Sequence, residues 1–334
     1  MASQKHYVWV DYAKFLSIFL VVYFHAAPRL EGLGGASLHL LRMPCFFFLA
    51  GLLFRADKYP TFRQYVTHRS KQIILPYFCF FILFYACWLV IGKTMGTPEY
   101  LAVPFYQPVL EYLRGVPRLI CLPLWFIPCL FAIQCTFYLI FRRMKRLPAT
   151  FILLLFPFVN LFVDLVDTPC SLDMLCKDMP FYGIASLYRK EIFQFMEKGN
   201  HLFIGLVSLG VHLLLSYVFI GQPTHLQAVL VELFGSFLIL LPVFILVKWI
   251  SDFFGKVNII EYMANNTIVI LAFHTYSIAI IMRVIMWHYN VSADFFEGKY
   301  LLKLIVGAIA MASMIIPIWF INKYTPFVLG KKRA

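Results

Sequence analysis

The 334 residues carry a formal net charge of +13, yet only 13% of them are charged and 62% are hydrophobic. A soluble domain of this length would hold about a quarter of charged residues, so a water-soluble globular fold is excluded. The basic balance would suggest a nucleic-acid partner only if it were gathered on one exposed face, and it is not.

Apolar runs of about twenty residues, each long enough to cross a bilayer as a helix, recur along the chain. They predict an all-α, polytopic membrane bundle of about ten spans, near 8–26, 38–54, 73–92, 123–141, 149–165, 179–188, 202–220, 226–247, 263–287 and 301–321. The sixth is the shortest. No Gly/Ser linker, internal repeat or low-complexity tract divides them, so residues 1–334 are read as a single domain. With both termini in the cytoplasm, nineteen basic residues fall on the inner side: Lys5, those of 55–71, 142–146 and 189–198, then Lys248, Lys256, Lys323, Lys331, Lys332 and Arg333. Six fall outside: Arg29, Lys93, Arg114, Arg118, Lys177 and Lys299. This inward bias sets the orientation and accounts for the charge without nucleic acid.

The first span, VWVDYAKFLSIFLVVYFHA, is longer than a signal-peptide core and contains charges, so it is read as retained. Asp11 and Lys14 are three apart and can pair on one helix face. His25 follows Lys14 by eleven residues, which returns it to nearly the same face about 16 Å further along the helix. Asp11 and Lys14 could instead snorkel to the interface, with His25 a satisfied core histidine. Three ionisable groups on one stripe favour a functional site, because charges at membrane depth are costly and usually mark one.

In the second span Arg42 lies near the outer start, where a permanent guanidinium needs a carboxylate, a headgroup or a bound anion. The basic run RRMKR at 142–146 could grip the phosphates of a cytoplasmic nucleotide, although the inward charge bias already explains it. Cys170 and Cys176 flank SLDML in an outer loop where a disulfide could form. The eight cysteines show no metal-ligand spacing, and no metal site is expected. His212, in the seventh span, reads as structural. Glu232, about two turns into the eighth span, would be protonated or paired, with Arg42 or Arg283 as candidate partners. In the ninth span Thr267, His274 and Ser277 share a face, with Asn266 slightly to one side. They are either interhelical hydrogen-bonding groups or part of a site.

Together these segments resemble acyltransferase family 3, the integral-membrane acyltransferases that modify bacterial surface glycans. Lys14 to His25 matches the family's basic residue, ten intervening residues and His. PCFFFLAGLLF resembles its second-span Phe residues followed by a small residue and Gly51. RSKQIILPYF resembles the basic stretch leading into Pro76, and PLWFIPCLF, with Trp125, the Leu-Trp-Phe segment of the fourth span. NNTIVILAFH resembles an Asn-Ser/Thr pair followed by His. One departure is Lys14, where many members have Arg, so the bidentate fork is lost.

The resemblance implies the short form, without a soluble C-terminal domain, in the bacterial cytoplasmic (inner) membrane. It implies an acyl-CoA donor, usually acetyl-CoA, and a hydroxyl acceptor on a glycan or lipid-linked sugar. His25 is the expected general base, with Asp11 and Lys14 in the catalytic set. Arg42, Glu232, His274, Trp125 and Asn266 are the expected substrate-binding residues. Beyond these substrates the only expected partners are membrane lipids. A glycan exporter or flippase is the rival reading, using the same polar stripe as a passage. Against it, the sequence has no inverted repeat and no matched pair of broken helices.

Overall fold

The computed structural model describes residues 6–27, 30–55, 58–95, 101–199, 201–221 and 223–331. Of the residues in the charge-bias argument, Lys5, Arg29, Lys332 and Arg333 lie outside the described residues. Among the described residues eight helices are long and apolar enough to cross a membrane: α1 (Val8–Ala26), α2 (Gly32–Leu52), α3 (Phe62–Gly92), α5 (Leu122–Ile140), α9 (Leu202–Ile220), α10 (His225–Phe254), α12 (Thr267–Tyr289) and α13 (Tyr300–Tyr324). Between them lie α4 (Tyr106–Arg114), α6 (Arg146–Leu161), α7 (Leu172–Leu187), α8 (Arg189–Glu197) and α11 (Asn258–Ala264). The chain is a polytopic helical membrane protein.

Eight of the ten expected spans correspond to these long helices. The fifth and sixth are helices too, α6 and α7, but they are short. At 16 residues α7 is about 24 Å long, less than the hydrocarbon thickness of a bilayer. It also begins earlier than expected, at Leu172, and so takes in Asp173, Lys177 and Asp178. It can hold them because it packs against α2, α5 and α6 inside the bundle. A lipid-facing helix could not.

The chain's local signals explain the helix ends. Thr224 and Gln227 form a capping box at the start of α10, each side chain bonding the other's backbone N–H. Gly115 ends α4 in the left-handed conformation at φ 73°. A π-helical turn at Ser70–Ile74 interrupts α3, and a second at Trp88–Gly92 ends it. Arg189 Nε donates to the Leu52 carbonyl at 2.8 Å, capping α2 from the start of α8.

α1 is the central helix, packed against α2, α10, α11, α12 and α13. α2 and α7 approach so closely that a Cβ on Gly51 would stand 2.0 Å from the Tyr182 carbonyl oxygen. His212 stitches three helices together. Its Nδ1 donates to the Gly235 carbonyl (2.9 Å), and its Nε2 meets the Ser37 (2.9 Å) and Ser216 (3.1 Å) hydroxyls. It is fully buried and fully partnered, as a structural histidine should be. All eight cysteines are free, Cys170 and Cys176 among them.

One end of the bundle gathers the start of α1, the α11–α12 corner and the end of α13. There the Tyr12 hydroxyl donates to the Gly255 carbonyl at 3.0 Å, and Asn322 and Lys331 both donate to Asn266 Oδ1. The charge bias makes this the cytoplasmic end.

Candidate active site

The expected catalytic residues on α1 fall into two places. At the cytoplasmic end Asp11 Oδ1 accepts from Lys14 Nζ at 3.3 Å, while Oδ2 lies 2.7 Å from His6 Nε2. Glu261 of α11 joins them through His6 at 3.8 Å and through Lys256 at 2.9 Å. The Lys256 hydrogen bond holds the Glu261 carboxyl below the usual carboxylate range. The donor atoms of His6, Asp11 and Glu261 all lie within 4.8 Å of one another. Lys14 and Lys256 already neutralise the two carboxylates, so the cluster is balanced as an ion-pair network.

His25 lies at the far end of α1. Its ring meets that of His274 on α12, with centroids 4.9 Å apart and planes at 56°. The joining of α1 and α12 thus brings two residues 249 positions apart into contact. His274 is fully buried. Its Nδ1 lies 2.9 Å from the Ile270 carbonyl oxygen, which can only accept, so Nδ1 carries the proton and donates it there. Nε2 is then a bare acceptor, buried and without a hydrogen-bond partner among the described residues. On α2 the Arg42 guanidinium sits 3.4 Å over the centroid of Phe24, beside His25, and interacts electrostatically with His25. Arg42 also interacts with Asp178 on α7, which is 1% exposed.

The other expected binding residues are distributed around this centre. Glu232 pairs with Lys177 Nζ at 2.6 Å and with His39 Nε2 at 3.1 Å. It does not pair with Arg42 or Arg283, as the sequence suggested. α7 delivers Lys177 to it, and Arg283 is exposed on α12. Trp125 is half-buried in the 3₁₀ turn that opens α5. That turn is tied to α12 by the Cys121 thiol, 3.2 Å from the Ala272 carbonyl, two residues from His274. Asn266 occupies the N-cap position of α12, but its side chain bonds elsewhere. Its Nδ2 donates to the Tyr262 carbonyl at 2.8 Å, and its Oδ1 takes up Asn322 and Lys331. It lies eight residues, or about 12 Å, from His274 and belongs to the cytoplasmic corner rather than to the imidazole pair.

Two neighbouring cavities open at the cytoplasmic end and share Lys58. One, of about 860 Å³, is lined by Lys58, Arg63, His68 and Lys71; the other, of about 630 Å³, by Arg55, Lys58, Arg142, Arg146, Arg189 and Lys190. Two of the four basic residues of the RRMKR run, Arg142 and Arg146, therefore line a cavity. No carboxylate lines either one among the described residues. Arg146 is shared with Glu191 at 2.5 Å, and that hydrogen bond keeps the Glu191 carboxyl below its ordinary range. Such cavities suit phosphate groups.

Sequence reasoning missed Asp178, His6, His39 and Lys177. Asp178 was the one within reach. Leu172, Leu175, Cys176 and Met179 recur at helical spacing, which would have extended the sixth span upstream and placed Asp178 inside it.

The family profile described as an acyltransferase domain, that of acyltransferase family 3, matches residues 7–324. The chain belongs to acyltransferase family 3. No curated protein and no solved structure matches it. The family match spans every element that builds the two sites, from α1 to α13. In this acyltransferase the basic residue and the His of the first-span signature lie in different sites, the one in the ion-pair network and the other against His274.

Proposed function

We propose that this family 3 member transfers an acyl group, in the first instance acetyl, from acyl-CoA to a hydroxyl of a glycan or lipid-linked sugar at the bacterial inner membrane. His25 is the general base. The observation that carries this reading is the contact between His25 and His274, an imidazole pair at membrane depth whose second member holds a bare Nε2. Such a group in a membrane core is retained at a cost and calls for a function.

In the proposed reaction a His25 ring nitrogen takes the proton of the acceptor hydroxyl as its oxygen attacks the thioester carbonyl. Arg42 stabilises the oxyanion that develops. The C–S bond then breaks, the ester is left on the acceptor, and the CoA thiolate leaves with the proton from His25. His274 Nε2, beside the His25 ring, offers a second station for that proton. Neutral imidazoles suit such exchange near neutral pH. The cationic cytoplasmic cavities support the donor side of the reading, since they match the phosphates of a CoA nucleotide. Asp11 and Lys14 would then flank the route from those cavities to His25.

The test is acetyl-CoA turnover by purified protein, supplied with a membrane glycolipid extract, for wild type and His25→Ala, both checked by thermal shift. Release of free CoA should fall about 10²–10⁴-fold in a folded His25→Ala variant. Equal release in the two proteins would sink His25 as the base.

A further inference from the structure

Two groups of opposite charge on neighbouring helices, Arg42 on α2 and Asp178 on α7, keep buried hydrogen-bonding atoms open, and Arg42 lies over Phe24 beside His25. Asp178 Oδ1 has no hydrogen-bond partner among the described residues, and neither has Arg42 Nε. The two charges act on each other, yet no nitrogen–oxygen pair between them comes within the 4.0 Å of an ion-pair contact. Lys177, the neighbour of Asp178 in sequence, is turned away to Glu232 at 2.6 Å and does not close the gap. A pair held apart in this way bears the desolvation cost of both ions without the contact that offsets it.

The complement of one open donor and one open acceptor is a group that both accepts and donates. A hydroxyl does so, its oxygen accepting from one partner and its proton going to the other, at about 2.7–3.0 Å each. A phosphate or carboxylate would satisfy Arg42 but be repelled by Asp178 and by Glu232, which acts on the same carboxyl. An ammonium would satisfy Asp178 and be repelled by Arg42. The pair as a whole is neutral.

We infer that Arg42 and Asp178 form the acceptor's binding site, gripping a hydroxyl next to the one that His25 deprotonates, and that this acceptor face is a neutral polyol. The inference rests on the acyl-transfer reading and adds to it a binding residue, Asp178, and a charge class for the acceptor. The arrangement also gives Arg42 a fixed place over Phe24, from which one guanidinium nitrogen reaches the acceptor while the others face the reacting carbonyl.

The experiment uses the full chain in nanodiscs, with acetyl-CoA as donor and a membrane glycolipid extract as acceptor, reading CoA release with and without the extract. The variant is Arg42→Met/Asp178→Leu, which removes both charges together and leaves neither unpaired. The double variant should remain folded, and its acceptor-dependent release should fall by about 100-fold or more, in keeping with the loss of two charge-assisted hydrogen bonds. A folded double variant that keeps acceptor-dependent release close to the wild-type rate reduces the pair to charge compensation and overturns the inference. A second arm needs no variant. A neutral methyl glycoside in excess should inhibit acceptor-dependent release by the wild-type protein, and the corresponding uronate should not. Any other ordering of the two probes, including no inhibition by the glycoside, overturns it as well. If wild-type protein shows no His25-dependent CoA release at all, the acyl-transfer reading itself fails, and that outcome is separate from these.

Discussion

Lys14 and His25 share one stripe of one helix, but their side chains serve different surroundings. Lys14 holds Asp11, a carboxylate that is only 5% exposed, at 3.3 Å. Taking away one partner of a buried pair leaves the other charge stranded. His6, at 2.7 Å from the same carboxylate, takes over part of the load, and Lys14 itself is partly solvated. Lys14→Ala should therefore cost about 1–3 kcal/mol in unfolding free energy, while Lys14→Arg should cost less than about 1 kcal/mol. Denaturant titration in detergent measures both, and a Lys14→Ala variant as stable as wild type would show that Asp11 does not depend on it. At this scale the histidines were legible in the sequence, because an ionisable group deep in an apolar run is conspicuous. Partner choice was not. Glu232 takes Lys177 and His39 because α7 and α2 flank it, and nothing in LQAVLVELFGSF names those neighbours.

Among the elements, α2 and α7 carry the two halves of the Arg42–Asp178 pair, and Gly51 sets how close they come. With the Tyr182 carbonyl 2.0 Å from where a Cβ would be, no side chain can be added without driving the helices apart. Gly51→Ala should cost about 2–4 kcal/mol or abolish accumulation of folded protein, since backbone rather than a pliable side chain must yield. The melting temperature of the purified variant reads this out, and an unchanged value would contradict the close approach. The eight long helices were legible from hydropathy alone. α7 was read only in its second half, because LDMLCKD looks like a loop until α2, α5 and α6 enclose it. α4 and α8 escaped for a related reason: each is nine residues, too short and too polar to register as a span.

For the whole molecule, the charge bias orients the bundle with Lys58 inside and Lys299 outside. Both are exposed. In a cysteine-free background, a membrane-impermeant maleimide applied to intact spheroplasts should label Lys299→Cys at once and Lys58→Cys only after permeabilisation. The reverse pattern would invert the topology and with it the side proposed for entry of the donor. The family was legible from five degenerate segments in order, and the profile match over residues 7–324 agrees with them. The proximity of His25 to His274 was not legible, because it depends on α12 packing against α1 after 240 intervening residues.

The central position of α1 has a further consequence for the proposed acyl donor. Its cytoplasmic end meets the ion-pair network, and His25 lies about 16 Å beyond Lys14 along the helix axis. A donor whose phosphates stay at the cytoplasmic end would have to carry its acyl group past Lys14 on a slender arm to reach His25. The helix then acts as a gauge of reach: compact acyl donors such as acyl phosphates would be held at the mouth with their carbonyl far short of the imidazole, whatever their chemical reactivity.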